Sequence, residues 1–96
     1  MKAIPRKTAP PSIAEVWFAP IGKPMGYVEL RHEGRVVAVV EPVNHRRVGS
    51  MQVCDWRFQV FGKAGQVAAE QTLDHGMQAR ERAYQIAERL RKRGKV

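Results

Sequence analysis

Residues 51–61 read MQVCDWRFQVF and residues 66–73 read QVAAEQTL, with Gly62-Lys63-Ala64-Gly65 between them. In the first stretch Cys54, Trp56, Phe58 and Val60 alternate with Asp55, Arg57 and Gln59, the period-two pattern of a half-buried strand. The glycine-flanked spacer predicts a turn, and the second stretch predicts a returning strand. A four-residue turn sets Val67 opposite Val60, Ala69 opposite Phe58 and Glu70 opposite Arg57. Apolar thus meets apolar on one face and opposite charges meet on the other, so two independent patterns agree on one antiparallel register.

Working outward toward the N-terminus, Tyr27–His32 and Arg35–Glu41 flank Glu33-Gly34 and predict a second hairpin. With that dipeptide at the tip, Val28, Leu30, Val37 and Val39 share one face. Tyr27, Glu29, Arg31, Val36, Ala38 and Val40 share the reverse face, which is semi-apolar, so either a second layer covers it or it is a contact surface. Pro42 is expected to end the strand, leaving Asn44–Ser50 (NHRRVGS) as a basic loop. Ile13–Phe18 (IAEVWF) is β-branched and aromatic and predicts a first strand; Pro20, Gly22, Pro24 and Gly26 then force a loop. Residues 1–12 hold three prolines and three basic residues, and read as a flexible basic tail.

Toward the C-terminus, Asp74 is a candidate N-cap for one helix over Gly76–Arg93, with Gly94 as its stop. Ala79, Ala83, Ile86, Ala87 and Leu90 form its apolar stripe, and Glu88 and Lys92 stand four apart as an ion pair. The order strand, hairpin, hairpin, helix predicts an α+β domain over residues 13–94. It is an antiparallel sheet of four to five strands with the C-terminal helix packed on one face. The expected core joins Trp56, Phe58, Val60, Val28, Leu30, Val37 and Val39 to the helix stripe.

The 96 residues carry 17 Lys and Arg against nine Asp and Glu, a net charge of +8. Lys2, Arg6 and Lys7 lie in the first seven residues, and Arg89, Arg91, Lys92, Arg93 and Lys95 lie near the end. The span between Thr8 and Glu88 holds nine basic and nine acidic residues, so the excess charge sits at the two ends. Cationic ends on a neutral body point to a polyanionic partner. The single cysteine, Cys54, excludes an internal disulfide and suits a reducing, cytoplasmic setting. No apolar run has the ~20 residues of a membrane span, so no membrane partner is expected.

The residues that carry chemistry are sparse. His32, His45 and His75 stand apart in ligand spacing, so no metal site is expected. Gly22-Lys23-Pro24-Met25-Gly26 lacks the spacing of a phosphate-binding loop, and no carboxylate pair or nucleophile motif is present, so neither cofactor nor catalytic residues are predicted. The remaining signal is basic. Arg82, Arg89 and Arg93 line one flank of the helix, Arg80 and Arg91 line the other, and Arg46-Arg47 stand in the middle loop. Lys2, Arg6, Lys7, Arg46, Arg47, Arg82, Arg89, Arg91, Lys92, Arg93 and Lys95 are the candidate nucleic-acid contacts, for DNA or RNA, provided the fold brings them together. In layout, a small antiparallel sheet followed by a helix and preceded by a basic arm resembles the arm-site DNA-binding domains of phage integrases. The expected function is a small non-enzymatic nucleic-acid-binding or nucleoprotein accessory protein. The alternative is a protein-interaction module (adaptor, inhibitor or homodimer) using Tyr27, Val36 and Val40 or a free strand edge.

Overall fold

The computed structural model describes residues 13–17 and 22–96. Five strands, β1 (Ala14–Trp17), β2 (Val28–His32), β3 (Arg35–Val48), β4 (Met51–Phe61) and β5 (Val67–Leu73), precede one helix, α1 (Gly76–Lys92). The strands form one antiparallel sheet in sequence order, and α1 packs across β3, β4 and β5. This is the expected α+β architecture. The predicted basic tail, residues 1–12, and Phe18 lie outside the described residues.

Val28, Leu30, Val37, Ala38, Val40, Phe58 and Val60 are sealed from solvent against Ala79, Ala83 and Ala87. The three alanines let the helix backbone sit close to the sheet, so the large side chains all come from the strands. Trp56, Leu73, Ile86 and Leu90 pack around the margin. Helix α1 ends in a Schellman motif. Lys95 N–H donates to the Leu90 carbonyl (2.8 Å) and Gly94 N–H to that of Arg91 (2.9 Å). Gly94 takes φ +71°, a conformation that a glycine adopts without strain. The N-cap is His75 rather than Asp74, and no side chain caps this end.

Three bulges revise the expected registers. The Glu33-Gly34 tip forms as predicted, both residues at positive φ as in a type I′ turn. A bulge beside Leu30 then shifts the pairing to Leu30↔Ala38 and Val28↔Val40. Val37 and Ala38 both turn inward, Val40 joins the core, and Val39 moves to the face away from the helix. The expected contact residue Val40 has no exposed surface, and Tyr27 is only 6% exposed. Only Val36, half-buried, stays on the surface assigned to it. In the β4–β5 hairpin, Gly62 pairs with Gln66, leaving a three-residue loop whose last member, Gly65, has φ +85°. A further bulge pairs Val60 with Ala69 and Arg57 with Thr72, so Arg57 does not oppose Glu70.

The third bulge lies at Asn44 (φ +55°) and carries β3 past the point where Pro42 was expected to stop it. β2 flanks β3 only as far as Val40, so Pro42 sits where the strand has one neighbour and a missing N–H is tolerated. Residues 44–50 are therefore strand and turn, not a loop.

The packing gives two stability predictions. Ala83→Leu should destabilise the fold by about 1–3 kcal/mol through overpacking against the sheet. Glu33→Asn should stabilise it by about 0.5–1 kcal/mol, since Asn accepts the left-handed conformation more readily. Urea unfolding midpoints of the two variants check both.

Candidate nucleic-acid interface

β5 flanks β4 only from Trp56 onward, and β2 leaves β3 at Val40. Beyond those points β3 and β4 run on alone as a two-stranded ribbon, paired Val43↔Asp55, Arg46↔Val53, Arg47↔Gln52 and Val48↔Met51. Gly49 (φ +62°) and Ser50 close it, with positive φ at the glycine alone, the signature of a type II′ turn. Residues 44–52 are all exposed. The ribbon reaches about 17 Å past the sheet at ~3.4 Å per residue.

Alternation along β4 assigns the ribbon's two faces. Gln52 follows Trp56, Phe58 and Val60 to the helix side, and Arg47 pairs with it there. Arg46, Val48, Met51, Val53 and Asp55 take the opposite side, which no other element of the described residues covers. Cys54, which the alternation in 51–61 sets on the face of Trp56 and Phe58, is on the helix side but is partly exposed.

The two sides differ in how their arginines are held. On the open side each is tied to a carboxylate. Arg31 Nη2 donates to Glu29 Oε1 (2.7 Å), Arg57 Nη2 to Glu41 Oε2 (2.6 Å) and Arg46 Nη2 to Asp55 Oδ1 (3.2 Å). Arg46 also donates to the Asn44 carbonyl at 3.0 Å. Partial burial opposes ionisation of Glu29, but hydrogen bonds from Arg31 and Tyr27 outweigh it and hold its pKa below the ordinary value. Hydrogen bonds from Asn44 and Arg46 likewise lower that of Asp55. Burial, reinforced by the hydrogen bond to Glu29, pushes the Tyr27 hydroxyl up to about 12.

On the helix side Arg47, Arg82, Arg89, Lys92, Arg93 and Lys95 are exposed and make no ion pair among the described residues. Arg91 differs. Its Nε donates to Glu88 Oε1 at 2.7 Å, and Glu88 also accepts from the Tyr84 hydroxyl, so the expected Glu88–Lys92 pair is replaced. Burial works against the Glu88 charge, yet these hydrogen bonds keep its pKa low.

Among the described residues the basic side chains do not converge on one patch, as a single phosphate-binding site would require. Gly76, the start of α1, lies against Trp56 at the ribbon base. The helix then runs back along the sheet, and Glu88 near its end accepts a hydrogen bond from the Ile13 backbone beside the β2–β3 turn. Arg46 and Arg47 therefore occupy one end of the molecule and Lys92, Arg93 and Lys95 the other, on the order of 40 Å apart from helix and strand rises. Lys2, Arg6 and Lys7 lie outside the described residues. Gln52, Val48 and Met51 carry no signal in the sequence that marks them as contacts. The Gly49-Ser50 dipeptide between β-rich runs is the one available sign of the ribbon, masked by Pro42 and by the residues of the bulge.

Among the described residues no cluster of His, Cys, Asp or Glu is placed to hold a metal ion, and no helix is long and apolar enough to cross a membrane. Compared with family models, curated proteins and solved structures, the chain matches none.

The Tyr27–Glu29–Arg31 group predicts a pH dependence with a definite sign. Between pH 10 and about 12 the unfolded chain loses the Tyr27 proton while the folded chain keeps it, so stability falls over that interval. Tyr27→Phe should flatten this alkaline limb in denaturant midpoints measured from pH 9 to 12. At the acid end, the stability from Glu29 is present above its ordinary pKa of 4.5 and is lost as pH falls through the lower folded value.

Proposed function

We propose that the chain is a small non-enzymatic protein that binds duplex nucleic acid, DNA in particular, with the β3–β4 ribbon as its main contact. The ribbon supports this reading. It stands clear of the sheet, carries Arg46, Arg47 and His45, and has no acidic residue from Asn44 to Cys54. Two strands ~4.8 Å apart fit the ~12 Å major groove of B-form DNA, whereas the deep, narrow major groove of A-form RNA excludes them. The unpaired cations along α1 add a long-range attraction that steers a polyanion toward the helix side. Arg46 contributes less freely than Arg47, because Asp55 and the Asn44 carbonyl already hold it.

The competing reading, a protein-interaction module, rests on β5. Its outer edge is unpaired among the described strands, has no proline and carries one charge, Glu70. The sheet-face form of that reading loses Val40 and most of Tyr27 to burial.

Fluorescence anisotropy with a mixed-sequence DNA duplex and an RNA duplex of equal length tests the proposal. Binding to DNA should weaken about a hundredfold from 50 to 200 mM salt if about four phosphates are neutralised. Arg46→Ala/Arg47→Ala should lower affinity and reduce the salt slope by about one for each phosphate that the variant leaves without a cation. Absence of DNA binding at low salt, together with salt-insensitive self-association, would favour the β5 edge instead.

A further inference from the structure

Arg47 and Gln52 form a directly opposed cross-strand pair on the helix side of the ribbon. Both are exposed, and neither has a hydrogen-bond or ion-pair partner among the described residues. Side chains so opposed have Cβ atoms about 5 Å apart, within reach of two neighbouring base pairs stacked ~3.4 Å apart. Their chemistries differ in a way that matters to a groove. A guanidinium donates twice to the O6 and N7 acceptors of guanine, and a carboxamide donates to N7 and accepts from N6 of adenine. The opposite ribbon face lacks this pairing. Its arginine and Asn44 are both held by Asp55, and Val48, Met51 and Val53 are apolar. The tip itself is thin, with no side chain at Gly49 and a small one at Ser50.

We infer that the ribbon reads sequence as well as binding phosphate, with Arg47 and Gln52 contacting adjacent G·C and A·T pairs in the major groove. This rests on the DNA-binding reading above and adds a base preference to it. Phosphate contacts by the other cations position the duplex and carry no sequence information, so discrimination falls on this one pair.

The test is selection of duplexes from a randomised DNA pool by the full chain, followed by titration of the selected site and its single-base variants. Adjacent G and A should be enriched. Arg47→Ala should weaken the selected site about 10- to 100-fold and erase the preference at the guanine alone, and Gln52→Ala should do the same at the adenine alone. Both positions are exposed, so thermal unfolding of the variants should match the parent chain. Salt-sensitive binding with no base preference would overturn this inference and leave the DNA-binding reading standing. A preference that survives both substitutions but disappears in Val48→Ser/Met51→Ser would also overturn it, since the apolar face would then be the one in the groove. No duplex binding at any salt would overturn both.

Discussion

The packing of Trp56 between two glycines marks the point where the ribbon leaves the sheet. The indole lies between Gly26, in the β1–β2 connection, and Gly76, the first residue of the helix. A Cβ added at either glycine would come within 2.8 Å or 2.9 Å of the ring. Gly26 also has φ +93°, so it is glycine for two reasons. The ring therefore closes the core where β2 and β5 stop and the ribbon begins. It sets where α1 starts, and the alanine stripe sets how closely the helix lies along the sheet. The ribbon is left with a buried base and an exposed shaft.

The electrostatics follow from this layering. An open sheet face that must carry arginines beside half-buried valines keeps them wetted and paired, and Glu29, Glu41 and Asp55 supply the partners. Isolated surface ion pairs are worth little individually. Their consequence here is to neutralise one side of the molecule. Among the described residues the excess charge is thereby expressed on the helix side. A net charge of +8 becomes a directional property only once the strands decide which arginine meets which carboxylate.

Much of the fold was legible because it is local. The alternation in 51–61, the Glu33-Gly34 turn, the helix stripe and Gly94 each depend on residues near one another in the chain, and each forms as read. The bulges were not legible. Adding one residue to a strand preserves the apolar pattern on average while moving every later residue to the other face, so Val39 and Val40 exchanged roles. The Arg57–Glu70 expectation failed for the same reason, and Arg57 found Glu41 on the neighbouring strand. Pro42 misled because its usual penalty assumes a strand flanked on both sides, a condition that only the length of β2 decides. Of the candidate site, the Arg46-Arg47 signal was visible, but its setting as a ribbon and its partner Gln52 were not.

The sequence by itself determined the element types, the C-terminal helix and its buried alanines, the class of the fold and the surplus of positive charge. These follow from periodicity and composition, which act at short range along the chain. The tertiary structure alone decided the registers, the length of β3, the pairing of the open-face arginines and the separation of the basic residues to opposite ends. Those outcomes depend on where neighbouring strands begin and end and on which face each residue takes after a bulge, long-range geometry that no local pattern encodes.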